Sequence, residues 1–196
     1  MIDAERQDHP SCSHTENFHA NDALELTGIH FKGERMYSHN IMRINYTTYD
    51  VRRAQDSINP RTNHQDIMLL SHRDDDTPHH EYEYARVIGI YHVNVIYAGP
   101  GMLDYRARRL DFLWVRWYEN LNDIPAQQGW KNAQLDRLQF PSLSEEDAFG
   151  FVNPAEVVRG CHIVPSFSAG PRHIAAVGIS ACARNSQDWR EYMVNR

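Results

Sequence analysis

The chain has 196 residues, with a hydrophobic fraction of 41% and a charged fraction of 23%, ordinary for one globular domain with tails. A net charge of −6 excludes a protein that grips nucleic acid along its whole length and leaves only a local basic patch for that role. No run approaches the roughly 20 apolar residues of a membrane span, and the N-terminus lacks the apolar stretch of a signal peptide, so a soluble protein is expected.

Residues 1–23 are polar and irregular and read as a flexible tail. His9, Cys12, His14 and His19 could ligate zinc there, but the segment has almost nothing apolar to fold around. Leu24–Tyr37 reads as a hairpin turning at Lys32-Gly33-Glu34. His39–Thr48 follows as a strand, with Met42, Ile44 and Tyr46 on one face. Asp50–His64 is polar, and Asn59-Pro60 marks a loop. Asp66–Ser71 suits a short buried strand.

Residues 72–83 form an acidic loop. Asp74, Asp75 and Asp76 with His72, His79 and His80 invite a metal reading, but adjacent side chains on an extended segment point apart. A solvated loop is the simpler reading. Tyr84–Tyr97 is the longest strand, with Val87, Gly89, Tyr91, Val93 and Val95 on one face and Ile88, Ile90, His92 and Ile96 on the other. Both faces are largely apolar, which predicts a central strand. His92 reads as a hydrogen-bonded core histidine, since no second ligand stands at metal spacing.

Residues 108–120 form the next strand, dense in β-branched and aromatic residues. Leu113, Val115 and Trp117 share one face; Phe112, Trp114, Arg116 and Tyr118 share the other. Ala133–Phe140 offers a short strand. Asn153 caps a helical turn opened by Pro154, and Cys161–Phe167 alternates as a closing strand. Residues 168–196 read as a C-terminal extension whose last anchors are Trp189, Tyr192 and Val194. Three cysteines, Cys12, Cys161 and Cys182, stand far apart without a CxxC. That spacing excludes a disulfide framework and an all-cysteine zinc site and points to reduced thiols inside a cell. Cys161 reads as a small buried hydrophobe. The pattern as a whole predicts a mainly β fold, a small β-barrel over residues 24–167 with short helical turns and long loops.

Three phrases in order resemble a bromo-adjacent homology (BAH) domain: Ala85-Arg86-Val87-Ile88, then Trp114 to Glu119, then Val152-Asn153-Pro154 through Val157 to Ile163. The family's "RPEET" after the second phrase is missing here. Residues 35–196, through phrases such as YARVIGIYHVNV, DFLWVRWYE and FGFVNPAEVVRGCHIVPSF, are also similar to the carboxy-terminal part of proteins of fungal DNA transposons of the CACTA-like and Kyakuja–Dileera–Zisupton types. The BAH resemblance implies a barrel that binds histone tails, nucleosomes or partner proteins. The transposon resemblance implies a nuclear module beyond the transposase catalytic domain, with the remainder of that transposase as a natural partner.

Two candidate surfaces follow. Tyr91, Trp114, Trp117 and Tyr118 could enclose a methylated ammonium, each ring contributing roughly 0.5–2 kcal/mol by cation–π attraction, and Asp74–Asp76, Glu81 and Glu83 would favour a basic tail. The plainer reading is that these rings fill the core. Arg106, Arg108 and Arg109, with Arg52, Arg53 and Arg73 as allies, form the candidate DNA contact; the plainer reading is a solvated loop. No catalytic motif is present, so neither a catalytic residue, a metal nor a cofactor is assigned, and a non-catalytic binding module is expected.

Overall fold

The computed structural model describes residues 28–47, 53–71, 80–101, 104–121, 135–173 and 177–195. The expected tail therefore lies outside the described residues. So do His9, Cys12, His14, His19, Arg52, His72, Arg73, Asp74, Asp75, Asp76 and His79.

The strands, in chain order, are β1 (Ile29–His39), β2 (Met42–Thr47), β3 (Arg53–Ile58), β4 (Asp66–Leu70), β5 (Tyr82–Tyr97), β6 (Arg108–Trp117), β7 (Glu119–Asn120), β8 (Arg137–Gln139), β9 (Phe149–Val152), β10 (Val157–Gly160), β11 (His162–Pro165) and β12 (Tyr192–Asn195). They form three antiparallel groups: a six-stranded sheet in the order β10-β4-β5-β6-β9 with β1 also on β5, a four-stranded sheet β11-β12-β8-β7, and the hairpin β2-β3. Short 3₁₀ turns stand before β9 and β10, and the Asn153 side chain accepts from the Ala155 N–H at the second of them.

The fold is mainly β, as expected, but it is not a closed barrel. β5 is 16 residues long and takes partners end to end: β4 along Tyr82–Arg86 and β1 along Ile90–Tyr97. The sheet therefore spreads lengthwise, and among the described residues no ladder joins β9 back to β10.

Each face of the lower half of this sheet is covered by a separate small sheet. On one face Ile67, Leu69, Ala85, Val87, Leu113 and Val115 pack with Ile58, Met42 and Ile44 of the β2-β3 hairpin. On the other, Met68, Tyr84 and Tyr118 pack with Leu138, Ile163, Tyr192 and Val194 of the four-stranded sheet. Both faces of β4 are covered, which is why its sequence is an unbroken apolar run. Tyr192 and Val194 belong to this second core, so the stretch expected as an extension is an integral layer.

Three local features depart from the sequence reading. Leu24–Tyr37 is not a hairpin: β1 is one strand whose two halves both pair with β5, and the Lys32-Gly33-Glu34 signal makes a bulge between Phe31 and Met36. Gly33 (φ 67°) and Glu34 (φ 50°) take the left-handed backbone that the bulge needs. β3 falls inside the segment expected as a loop; its alternation is carried by Ala54 and Asp56, which are not bulky apolar residues. A bulge at Ile88, where Val87 pairs with Val115 but Gly89 with Trp114, shifts the alternation of β5, so Val87 and Ile90 reach the same core. No helix among the described residues is long and apolar enough to cross a membrane.

Candidate functional site

The four rings expected to form one surface are distributed over three environments. Tyr118 is buried at 8% exposure. Its ring stacks on Phe140 (centroids 4.1 Å apart) and meets Tyr192 edge-on at 5.5 Å. Its hydroxyl donates to Asp66 Oδ1 at 3.2 Å. This ring box does hold a cation, but the protein's own: the Arg86 guanidinium lies 5.0 Å from the Phe140 centroid, 5.5 Å from Tyr192 and 5.6 Å from Tyr118. Arg116 covers Phe140 at 3.8 Å.

Arg86 also donates to Asp66, from Nε at 2.9 Å and Nη2 at 3.4 Å. Burial pushes the Asp66 carboxyl up, while Arg86 and the Tyr118 hydroxyl pull it back. Burial works against the Arg86 cation, but its interactions with Tyr118 and Asp66 outweigh it and raise its pKa. Burial likewise pushes the Tyr118 hydroxyl well up. Cys161 is half-buried, and burial, then the Asp66 charge, pushes its thiol up.

Tyr91 and Trp114 lie on the upper half of the large sheet. Tyr91 stacks on Phe112 (5.6 Å), Phe112 meets Phe151 edge-on (5.7 Å), and Trp114 faces Phe149 (6.0 Å). Beside them Phe31, Met36, Leu110 and Phe151 are exposed, and with Val93 and Phe112 they line a shallow cavity of about 600 Å³. Among the described residues no element covers this apolar sheet face.

Trp117 points to the opposite face and lies over Gly150, where a Cβ would stand 2.4 Å from its Nε1. It also lines a cavity of about 640 Å³ at the lower end of the sheet, within the usual range for ligand sites. Half-buried Tyr82 and buried Tyr84 and Tyr118 line it too. Four carboxylates ring it, Glu83, Glu119, Glu145 and Asp147, and no lysine or arginine is among its described lining. Glu83 accepts from the Ser71 hydroxyl at 3.2 Å and Glu119 from Gln139 Nε2 at 2.8 Å. His80, also in the lining, has Nε2 3.0 Å from Asp136 Oδ1, and Tyr84 donates to the other oxygen of Asp136 at 2.7 Å. Ser71 and His80, which flank the acidic run 72–79, both face this cavity. Of the expected residues, Trp117, Tyr118 and Glu83 meet here. Glu119, Glu145, Asp147 and Tyr82 were not anticipated, because they come from β7, the turn before β9 and β5, and no local pattern announces their meeting.

The arginine cluster does not form one patch. Arg108 and Arg109 alternate on β6 and face opposite sides of the sheet. Arg109 is committed to Asp111 through Nη2 at 2.7 Å and Nε at 2.9 Å. Arg106 is exposed, and its backbone N–H donates to Asp104. Arg53 stands on β3 in the separate hairpin.

His92 is not enclosed in the core. Its Nδ1 meets His39 Nε2 at 2.7 Å, its ring stacks on Tyr37 at 4.6 Å, and Asp111 is its cross-strand partner on β6. Desolvation, then the Arg109 and His39 charges, lowers its pKa. The hydrogen bonds from Arg109 lower that of Asp111. No protein-family model matches the chain, and no curated protein or solved structure matches it either.

Proposed function

We propose that this chain is a non-catalytic binding module that takes a basic peptide segment, of the kind carried by histone tails, into the acidic aromatic pocket of Trp117, Tyr82, Glu83, Glu119, Glu145 and Asp147. The observation that carries the reading is the coincidence of rings and carboxylates around one cavity without an opposing cation in its described lining. A lysine or arginine entering there finds ring faces for cation–π contact and carboxylates for charge-assisted hydrogen bonds. The resemblance to BAH domains and to fungal transposon proteins supports chromatin as the setting and the nucleus as the compartment. The remainder of a transposase is then a further protein partner.

The test is a fluorescence-anisotropy titration with basic peptides carrying lysine or trimethyl-lysine, at low and physiological salt. Binding should be lost in Glu119→Gln/Asp147→Asn and weakened in Trp117→Ala. Binding that survives both changes removes the pocket from the account.

The alternative, DNA contact through Arg106 and Arg108, rests on their exposure. It predicts equal, salt-sensitive binding to nucleosomes and to free DNA, lost in Arg106→Glu/Arg108→Glu. The division of the basic residues between two faces favours the peptide reading.

A further inference from the structure

Among the described residues, His39 of β1, His92 of β5 and Asp111 of β6 bring three ligand-type atoms to within 4.8 Å of one another. The sheet register places them there: Tyr37 pairs with His92 and His92 with Asp111, while His39 stands two residues beyond Tyr37 on the same face. The site is the reverse side of the sheet from the apolar face and belongs to neither the pocket nor either core. We infer that His39, His92 and Asp111 form a binding site for a divalent transition-metal ion of the zinc type.

The donor set fits that class. Two imidazoles and one carboxylate suit zinc, cobalt or nickel, and harder ions such as magnesium prefer oxygen donors throughout. Zinc–nitrogen bonds of about 2.0–2.1 Å in a tetrahedral site put two ring nitrogens about 3.3 Å apart. His39 Nε2 and His92 Nδ1 lie 2.7 Å apart, facing each other. A small opening of this pair admits the ion between them, and the ring that now donates moves its proton to its other nitrogen. Stacking on Tyr37 holds the His92 ring plane. Asp111 is exposed and can turn an oxygen toward the ion, leaving the fourth position to water. Arg109 is the opposing element, since it competes for Asp111 and its charge repels a cation.

The experiment is calorimetric titration of the full chain with Zn²⁺, with Co²⁺ absorption as the coordination readout. The other candidate ligands outside the site are controlled by a parent chain carrying Cys12→Ser, His9→Ala, His14→Ala, His19→Ala, His72→Ala and His79→Ala. One equivalent should bind to this parent, with a visible Co²⁺ d–d band and a rise in melting temperature, because the ion ties three strands together. His92→Gln and His39→Gln should abolish all three effects, and Asp111→Asn should weaken them. Arg109→Gln should tighten binding, an outcome that adventitious surface binding would not give. Each variant is compared by circular dichroism to confirm an unchanged fold. Absence of binding at micromolar zinc, or binding indifferent to His39→Gln and His92→Gln in folded protein, overturns the inference.

Discussion

The pair Arg116–Asp188 offers the sharpest test of the architecture. Arg116 Nη1 and Asp188 Oδ2 meet at 2.7 Å with side-chain exposures of 2% and 1%. Among the described residues, none of Arg116 Nε, Arg116 Nη1, Asp188 Oδ1 and Asp188 Oδ2 makes a well-aligned hydrogen bond, so the charges are in contact but their hydrogen-bonding capacity is largely unmet. Asp188→Ala strands a buried guanidinium against Phe140, and Arg116→Met strands a buried carboxylate. Each should cost about 3–5 kcal/mol, a large part of a typical domain stability of about 5–15 kcal/mol. The double replacement Arg116→Met/Asp188→Ala removes both charges and leaves apolar atoms against Phe140. It should cost far less than the sum and lie near the parent, since replacing a buried ion pair by packed hydrophobes is often neutral.

Urea unfolding of the four proteins in a double-mutant cycle measures the coupling directly. A cost below about 1 kcal/mol for Asp188→Ala, with additive effects, would mean that the pair is wet. The layer containing β12 would then not be docked on the large sheet as described. The same pair has a pH signature. Burial raises the Asp188 carboxyl above its ordinary 3.8, so the native state binds its proton before the unfolded state does. Its contribution to stability is fully present below 3.8 and is lost as pH rises through the raised native value. The parent should therefore gain stability relative to Asp188→Asn, its neutral isostere, on acidification from neutrality.

Other consequences are open to simpler assays. Tyr118→Phe removes one hydrogen bond from a buried carboxylate and should cost about 1.5–3 kcal/mol by urea melt, while leaving peptide affinity nearly unchanged. Gly150→Ala drives a methyl into the Trp117 indole and should destabilise by about 1–3 kcal/mol, with a shift in tryptophan emission. In a Cys12→Ser chain, iodoacetamide should modify exposed Cys182 quickly, with Cys161 protected until the protein unfolds.

The local signals in the sequence were good guides to strands and poor guides to neighbours. The runs 66–70, 82–97 and 108–117 are strands because their β-branched and aromatic residues suit a covered pleat. β3 escaped because Ala54 and Asp56 do not advertise an inward face, and the first turn signal misled because the bulge it makes interrupts a strand without reversing it. Long-range register was not legible. Arg86 and Arg116 lie in familiar strand phrases, yet nothing in those phrases says that both would pack against Phe140. The barrel failed for the same reason: closure depends on which edges meet, not on how many strands there are.

That distinction also decides which rings can recognise anything. Tyr118 sits where a cation–π site was expected, and its box is filled by Arg86, held in turn by Asp66. Evicting Arg86 would leave Asp66 a buried, unpaired carboxylate, at a cost of the order of 3–5 kcal/mol, more than one ligand–ring contact returns. A ligand cation therefore cannot compete for that box. It can use Trp117 and Tyr82, which are half-buried and look onto carboxylates that no neighbouring guanidinium in the described lining neutralises. In the proposed function, recognition thus belongs to the lower rim of the sheet rather than its interior, where the intrinsic arginines occupy the rings.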